Sequence, residues 1–374
     1  MDEFEIVVAA AFGTEGVVKK ELINLNVRNK IICENGRCVF SDTLQKAVDC
    51  CVFLRTAERV YLRLASANCE SFDELYSLVS SVNWRDLIPT NAKLNISAKS
   101  HQSKLYALSA LQSITKKAII RSLCNSDDCI LPENGADYRL QVSVLNNKCE
   151  ILLDLCGSGL HRRGYRIKNS VAPIKETLAA AILLLSDYNG QTPLYDPFCG
   201  SGTFLTEGAQ IAMNVAPGAD RRFALEHYSF VDKRFLRETK EKAAALALTK
   251  PPYPITGSDI DTKQVELSRY HAERLGVSNY VTIEQKDALG AIPHSVGITV
   301  TNPPYGERIL TRAQTSALYS AFGKTYQRYT AGHSLSVITA YERFEKDFGL
   351  KAQSNRKLFN GNIPCRLYFF GKSK

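Results

Sequence analysis

The pattern of apolar and polar positions divides the chain near Ser170. Before that residue, strand-like runs alternate irregularly with helix-like runs, for example "FEIVVAAA" followed by "GVVKKELINL". Two runs near the end of this half, "RLQVSVL" and "CEILLDL", flank Asn146-Asn147-Lys148, and asparagine tolerates positive φ. This spacing predicts a β-hairpin, and the mixture of elements predicts small α+β units.

After Ser170 the pattern becomes a strict alternation of strand-length and helix-length runs. The strand-like runs are "TPLYDPF", "YPITGSDI", "YVTIEQKD", "GITVTNPPY", "HSLSVITA", "RKLFN" and "CRLYFFGK". Continuous apolar runs are typical of parallel strands that are buried on both faces. The pattern predicts an α/β, doubly wound sheet with an antiparallel element at its C-terminal edge. A charged insertion between the first two strands is predicted to be helical.

The first of these strands leads into a glycine-rich turn, "DPFCGSGT". Asp196 ends the strand, and Pro197 stops the ladder. Gly200 and Gly202 then allow a tight turn that a ligand can approach closely. The turn lacks the lysine of a phosphate loop and, at Leu205, the third glycine of a dinucleotide fingerprint. An acid beside the glycines favours a cationic ligand, although a glycine-rich connection without a ligand is the alternative.

Two further acids follow the next two strands. Asp259 ends the run "TGSDID" and can accept hydrogen bonds from both hydroxyls of a ribose. Asp287 ends "EQKDAL" and can accept from the exocyclic amine of an adenine. Either acid alone would more often be a solvated residue or a helix cap, and Asp261 is the better candidate for a cap. Together with the glycine turn, the two acids predict one nucleoside-sized groove across three strand ends.

The fourth strand stops at "NPPY". Asn302 offers a side-chain carbonyl, Pro303 offers a backbone carbonyl on a stiff chain, and Tyr305 offers a flat ring. Two acceptors can bind the N–H groups of an aromatic amine while the ring stacks on the base, a contact worth about 1–3 kcal/mol. They also favour the positive charge that develops when the amine attacks an electrophile. We predict catalytic roles for these three residues; a turn without function is the alternative.

Composition narrows the class of protein. Hydrophobic residues make up 45% and charged residues 23%, as in ordinary globular proteins, and no run is long enough to span a bilayer. The opening "MDEFEIVV" lacks the basic start of a secretory signal, so we expect a cytoplasmic protein with reduced cysteines. Neither Cys33 with Cys38 nor Cys124 with Cys129 has the spacing of a zinc site, so no metal is predicted.

A formal net charge of +9 suits a polyanionic partner without identifying one. The stretch "HRRGYRIKNSVAPIK", residues 161–175, contains five cations and no acid, with Tyr165 among them. That composition predicts a groove for an RNA backbone. A second basic cluster lies on one predicted helix, where a solvated face explains it equally well. The candidates for RNA contact are Arg162, Arg163, Arg166 and Lys168 at the junction and Lys116, Lys117 and Arg121 on the helix.

The motifs "DPFCGSGT", "GSDID", "QKDAL" and "TNPPYGERI" together resemble those of class I S-adenosylmethionine-dependent methyltransferases that modify base amines. The resemblance implies a Rossmann-like sheet and S-adenosylmethionine as cofactor. By this resemblance Asp196, Gly200 and Gly202 hold the methionine and ribose parts of the cofactor, while Asp259 binds its ribose and Asp287 its adenine. Further candidates on these motifs and before the first strand are Phe198, Thr203, Ile260, Ala288, Asn302 and, for the cofactor's carboxylate, Lys175.

The whole chain is similar to THUMP-domain RNA methyltransferases, among them the bacterial enzyme that makes N2-methylguanosine in 23S rRNA. The N-terminal half, the junction "GLHRRGYRIKNSVAPIKE" and the tail "KLFNGNIPCRLYFF" carry this resemblance. It implies a ferredoxin-like segment at 1–60, a THUMP domain at 61–157, a basic junction at 158–172 and a methyltransferase domain at 173–374. The second methyltransferase that is fused to this unit in some bacteria is not expected.

The predicted function is therefore methyl transfer from S-adenosylmethionine to N2 of a guanosine in 23S rRNA or a large-subunit precursor, with neither membrane nor metal involved. Two alternatives stay open. "NPPY" alone also permits an N6-adenine methyltransferase acting on DNA or RNA. A nucleotide-binding or RNA-binding module without catalysis could share the fold, but would not need Asn302 and Tyr305 together.

Overall fold

The computed structural model describes residues 3–126, 129–166, 174–290, 296–305, 310–328 and 332–371. The chain forms two compact units, each built on one seven-stranded sheet. Unit 1 comprises residues 1–10, 19–160 and 220–242, and unit 2 comprises residues 11–18, 161–219 and 243–374.

The first half of the chain supplies the strands of unit 1. They are β1 (Glu3–Ala10), β2 (Ile32–Glu34), β3 (Arg37–Thr43), β4 (Ala57–Asn68), β5 (Lys93–His101), β6 (Asp137–Leu145) and β7 (Lys148–Asp154). Their order in the sheet is β2-β3-β1-β4-β7-β6-β5, and only β5 and β6 pair in parallel. The helices of this half are α1 (Glu15–Asn24), α2 (Leu44–Phe53), α3 (Phe72–Ser80), α4 (Trp84–Leu87) and α5 (Leu108–Cys124).

The hairpin predicted from the asparagine pair is confirmed. Strands β6 and β7 pair antiparallel, with Leu145 opposite Lys148. Asn146 and Asn147 both take positive φ, at 50° and 64°, as a two-residue hairpin turn requires. Strand β4 pairs with β1 through its first half and with β7 through its second, so one sheet runs across the boundary predicted at residue 60.

The second half of the chain supplies the strands of unit 2. They are β8 (Leu194–Asp196), β9 (Ile255–Asp259), β10 (Val281–Gln285), β11 (Ile298–Thr301), β12 (Ser334–Thr339), β13 (Ser354–Asn360) and β14 (Ile363–Phe370). The helices of this half are α6 (Glu176–Leu185), α7 (Thr203–Ala212), α8 (Lys233–Leu246), α9 (Thr262–Arg274), α10 (Arg312–Tyr326) and α11 (Phe344–Phe348). The strand order is β10-β9-β8-β11-β12-β14-β13. Strands β8 to β12 are parallel and β14 is antiparallel to both neighbours, as predicted.

The charged insertion between β8 and β9 completes unit 1, although it lies within the second half of the chain. After a 3₁₀ turn at Ala224–His227, the ring of Tyr228 stacks on that of Tyr138, with their centroids 4.5 Å apart. In α8, the buried Thr239 donates a hydrogen bond of 2.8 Å from Oγ1 to Asp49 Oδ1 in α2. The prediction of one continuous domain over 173–374 does not anticipate this exchange of segments.

The expectation of reduced cysteines is wrong for one pair, because Cys124 and Cys129 form a disulfide. Helix α5 ends at Cys124, and Asn125 takes a left-handed conformation that turns the chain back, leaving the two Cα atoms 6.2 Å apart. Within the described ranges, no helix has the length and apolar character needed to cross a membrane. The same ranges contain no group of three or more metal-ligating side chains suited to hold an ion.

Candidate active site

The predicted site residues follow four neighbouring strands of unit 2. Strands β10, β9, β8 and β11 are adjacent and parallel, so their carboxyl ends meet at one edge of the sheet. The strand order changes direction at β8, which pairs with β9 on one side and β11 on the other. Ligands of doubly wound sheets bind at such a switch point. The glycine turn and the NPPY turn therefore flank the expected binding position.

The absence of a side chain matters for a different reason at each of the two glycines of the turn. Gly200 takes φ of +51°, and a Cβ built on it would meet no atom of the described residues within 4 Å. Gly202 takes φ of +79°, and its Cβ would lie 2.1 Å from Ser268 Oγ on α9. Packing between α7 and α9 therefore requires a glycine at 202. Gly200 borders open space, which leaves its backbone accessible to a ligand.

Asp259 is half-buried and holds the glycine turn in place. Its Oδ2 accepts from the Gly200 N–H at 2.9 Å, and its Oδ1 accepts from the Asp261 N–H at 3.0 Å. Each carboxylate oxygen keeps a second lone pair for a ribose hydroxyl. Burial raises the pKa of Asp259. The neighbouring Ile260 is 67% exposed, and Asp261 caps α9 by accepting from the Lys263 N–H, as predicted.

Asp287 follows β10 and is exposed. Its Oδ1 accepts from the Leu289 N–H at 2.9 Å, and Ala288 between them is buried. The preceding Lys286 N–H donates to the Asp259 backbone carbonyl at 3.0 Å, so the ends of β9 and β10 are held together. The structure therefore brings Asp287 to the same edge as Asp259, and its contact with an adenine stays a prediction.

The remaining candidates for the cofactor lie around the glycine turn. The half-buried ring of Phe198 packs edge-on against Phe322 of α10, with centroids 5.1 Å apart. Thr203 is buried at the start of α7, where its Oγ1 accepts from the Arg166 guanidinium. Lys175 is half-buried at the N-cap of α6. Their contacts with a cofactor stay predictions.

A buried hydrogen bond joins the two turns of the site. Thr301 Oγ1 donates to Asp196 Oδ1 at 2.7 Å, and both residues are at most 1% exposed. Asp196 also accepts from the Phe198 N–H at 3.1 Å. Burial raises the pKa of Asp196 to about 7, and the bond from Thr301 opposes that rise. The acid predicted to face a cationic ligand is thus linked directly to the residue before Asn302.

The NPPY turn presents an unused acceptor. Asn302 is half-buried, and its Oδ1 is buried with no hydrogen-bond partner among the described residues. The turn itself is anchored, because the Tyr319 hydroxyl donates to the Pro304 carbonyl at 3.2 Å and contacts Thr339 Oγ1 at 2.9 Å. No sequence pattern indicates this role for Tyr319, which resembles any other buried-face residue of an amphipathic helix. A buried acceptor without a donor is the group that an incoming N–H would satisfy.

Tyr305 is half-buried rather than fully displayed at the surface. Its ring packs against the core of unit 2, and its hydroxyl lies 3.7 Å from Cys365 Sγ on β14. Burial raises the pKa of the Tyr305 hydroxyl. The contact with β14 fixes the end of the NPPY turn, and the stacking of this ring on a base stays a prediction.

The prediction of an RNA groove at the junction is wrong for Arg163. Its side chain is 2% exposed and forms an ion pair of 3.2 Å with Glu207 of α7, whose side chain is 1% exposed. The buried Tyr165 donates from its hydroxyl to Glu207 Oε1 at 3.3 Å. A charged pair in this position is removed from solvent and from any RNA. Arg163 and Tyr165 are part of the core.

Arg166 is likewise engaged inside unit 2. It forms an ion pair of 3.4 Å with Glu176 of α6 and donates to the Ile174 carbonyl at 3.1 Å. The argument from five cations without an acid fails, because helices α6 and α7 supply the acids. Arg162 is exposed and stays an RNA-binding candidate, while Lys168 lies outside the described residues.

The helix cluster lies in unit 1. Lys116 forms an ion pair of 2.6 Å with Glu133, whereas Lys117 and Arg121 are exposed. All three line one surface pocket together with Ser113, Ile120, Ser126 and Cys129. Their contact with RNA stays a prediction.

Family models match three consecutive parts of the chain. Residues 163–368 match an RMKL-like methyltransferase domain, residues 5–61 an RlmL ferredoxin-like domain, and residues 69–154 a THUMP domain. The first match covers more than half of the chain. Together the three confirm the predicted fold class.

Curated proteins similar to this chain include YpsC of Bacillus subtilis, described as a candidate RNA methyltransferase. It is 35% identical over 373 residues, which cover 98% of this chain and 96% of YpsC. The ribosomal RNA large subunit methyltransferase K/L of Pseudoalteromonas atlantica is 31% identical over 378 residues. That alignment covers 98% of this chain but 53% of the relative, so the chain spans about half the length of the K/L-type protein.

Similar solved structures cover the whole fold. One is a crystal structure of SMU.472, described as a candidate methyltransferase complexed with SAH. Its TM-score is 0.94 at 35% identity, and the alignment covers 100% of this chain and 99% of the SMU.472 chain. Another is a structure from Listeria monocytogenes, described as a predicted N6-adenine-specific DNA methylase. Its TM-score is 0.92 at 35% identity, and the alignment covers 99% of this chain and 96% of the Listeria chain.

The hydrogen bond between the two turns leads to a prediction about how cofactor affinity depends on pH. The variant Thr301→Val removes the donor, so we expect the pKa of Asp196 to rise above the present value of about 7. If the ionised carboxylate faces the cofactor's positive charge, protonation competes with binding, and the variant loses affinity at a higher pH than the wild type. Calorimetric titration with S-adenosylmethionine across about two pH units on each side of neutrality measures the shift.

Thr299→Val is the matched control, because Thr299 is buried two residues earlier on β11 and its Oγ1 has no partner among the described residues. Thr301→Ser should restore the wild-type profile. Identical pH profiles for the two valine variants would mean that the bond from Thr301 does not tune Asp196.

The buried ion pair between Arg163 and Glu207 leads to a prediction about the stability of the protein. Arg163→Ala leaves the buried Glu207 without its cationic partner, which should cost about 3–5 kcal/mol of unfolding free energy. Arg162→Ala, at the exposed neighbouring position, is the control and should leave the urea midpoint close to that of the wild type. Equal midpoints for the two variants would show that the pair is not formed in solution.

Proposed function

This chain belongs to the RMKL-like methyltransferase family, and from that membership we propose that it transfers a methyl group from S-adenosylmethionine to an exocyclic base amine in RNA. We propose N2 of a guanosine in 23S rRNA as the acceptor. The names of the relatives support this target class. One relative is described as a candidate RNA methyltransferase, and the name of the other is ribosomal RNA large subunit methyltransferase K/L.

The observation on which the proposal depends is the buried Oδ1 of Asn302, which has no hydrogen-bond partner in the part of the chain that the structure describes. It lies at the switch point of the sheet, directly after the threonine that binds Asp196. An amine donor placed there would satisfy the acceptor without moving the turn, because the Pro304 carbonyl is already held by Tyr319. Preorganised acceptors of this kind lower the barrier for a reaction that develops positive charge.

The residues of the glycine turn fit the cofactor. Open space at Gly200 allows close approach, and Asp259 keeps a free lone pair on each oxygen for ribose hydroxyls. The exposed Ile260 offers an apolar surface for the adenine ring. When bound, S-adenosylmethionine supplies an electrophilic methyl carbon attached to a sulfonium.

The chain's own residues would act on the acceptor amine. Asn302 Oδ1 and the Pro303 carbonyl accept its N–H bonds and so orient the nitrogen lone pair towards the methyl carbon. Methylation would place positive charge on this nitrogen. The two acceptors stabilise that charge until the amine releases its proton to solvent.

An N6-adenine methyltransferase is the second candidate. The structure from Listeria monocytogenes is described as such an enzyme acting on DNA, and an adenine amine could bind the same two acceptors. Transfer of tritium from labelled S-adenosylmethionine to purified 23S rRNA or to DNA, followed by nucleoside analysis, tests both. Label in N2-methylguanosine from RNA supports the proposal, and label in N6-methyladenine supports the second candidate. Label in neither nucleic acid would favour a binding module without catalysis.

Two variants separate the roles of the two turns. Asn302→Ala should reduce the rate of methyl transfer by about 100-fold or more, with cofactor affinity near that of the wild type. Asp259→Ala should weaken cofactor affinity first, because it removes the ribose acceptor and the anchor of Gly200. Single-turnover rates and calorimetry with S-adenosylmethionine measure the two effects.

Asn279→Ala is the control for this experiment, because Asn279 is exposed before the start of β10, at the opposite edge of the sheet. Asn302→Asp keeps an acceptor oxygen and should be more active than Asn302→Ala. If Asn302→Ala and Asp259→Ala lose affinity and rate in the same proportion, the division of roles is incorrect.

A further inference from the structure

An exposed aromatic pair lies in unit 2, on the edge strand β13 of the sheet that carries the candidate active site. The rings of Phe12 and Phe359 meet edge to face, with centroids 5.6 Å apart and planes at 83°. Phe12 is 47% exposed and Phe359 is half-buried. The pair is supplied by residues 11–18, which belong to unit 2 although they precede most of unit 1 in sequence, and by the end of β13.

The backbone holds Phe12 rigidly against β13. Gly13 takes φ of +88°, and a Cβ on it would lie 2.7 Å from the Lys357 carbonyl. Thr14 is buried and closes the turn by donating from Oγ1 to the Ala11 carbonyl at 2.7 Å. The glycine thus allows a flush contact between this turn and the strand. A ring held in this way loses little further entropy when a ligand covers it.

The pair lies at the same edge of the sheet as the NPPY turn, because β13 runs parallel to β11 and Phe359 is near its carboxyl end. Leu358 lies opposite Cys365, and Phe359 lies opposite Pro364. Cys365 is the residue whose Sγ is 3.7 Å from the Tyr305 hydroxyl. The hairpin that supplies Phe359 therefore also contacts the catalytic candidate, while Phe359, adjacent to Leu358, projects from the other face of that hairpin.

Positive charge accompanies the rings. The exposed Lys357 places its Nζ 5.4 Å from the centroid of the Phe359 ring. Arg356 is exposed next to it, and Ile363, 39% exposed, lies near the tip of the hairpin. Flat rings with adjacent cations are the combination that binds single-stranded nucleic acid, because bases stack on the rings while the cations neutralise phosphates.

We propose that the Phe12–Phe359 pair stacks on a nucleotide that flanks the target base in single-stranded RNA. This inference rests on the proposed function, in which the target amine is bound at Asn302. A base must leave its stack to reach such a site, and the neighbouring base then loses a stacking partner. The aromatic pair replaces that partner, so it determines how tightly RNA binds and in what conformation.

The test compares Phe12→Ala/Phe359→Ala with the wild type, using unmodified 23S rRNA transcript and labelled S-adenosylmethionine. We expect the KM for RNA to rise by about 10- to 100-fold, with cofactor affinity unchanged by calorimetry. Tyr253→Ala is the control, because Tyr253 is 43% exposed in the same unit, before the start of β9 at the opposite edge of the sheet. Its KM should equal that of the wild type.

Conservative variants separate stacking from folding. Phe12→Trp keeps a flat ring and should retain the wild-type KM, whereas Phe12→Leu keeps apolar packing but loses the ring and should raise it. If Phe12→Leu matches the wild type, or the double variant matches Tyr253→Ala, the stacking role is overturned while RNA methylation stands. If the wild-type protein transfers no methyl group to RNA, both the stacking role and the proposed function fail.

Discussion

The hydrogen bond between Thr301 and Asp196 is the constraint on which the site depends. It joins residues 105 positions apart in sequence and connects the ends of β8 and β11, which flank the switch point. On one side it fixes the acid at the start of the glycine turn, and on the other it fixes the residue that precedes Asn302. Because both partners are buried, neither can exchange the other for water. The separation between the glycine turn and the NPPY turn is thereby set by the sheet itself.

The sequence predicted the architecture of this half because its signals are local. A buried parallel strand is a short apolar run, and the residue that stops it follows immediately, so Asp196, Asp259 and Asn302 could be assigned to strand ends by inspection. Chemistry that depends on register between distant strands leaves no such mark. The bond from Thr301 and the anchoring of Pro304 by Tyr319 arise only when strands and helices are brought side by side.

Charge counting failed at the junction for a related reason. A stretch without acids looked like an exposed cationic groove, but Glu176 and Glu207 reach it from the two helices that follow. The arginines nearest the glycine turn are therefore part of its support. Arg166 binds Thr203 at the first position of α7, so this basic residue contacts the N-terminus of the helix that follows the glycine turn. Composition reports which charges a segment has, and tertiary packing decides whether they face solvent.

The exchange of segments between the two units limits how this protein can be dissected. A fragment that begins after residue 160 would carry residues 220–242 without the sheet and helix on which they pack, leaving Tyr228, Val231 and Leu236 in water. The same fragment would lack residues 11–18. Poor solubility of an isolated second half would then result from segments separated from the unit on which they pack. It would not measure the catalytic competence of that half. By the same reasoning, we expect a recombined gene to encode a folded protein only when it inherits both halves of this chain together.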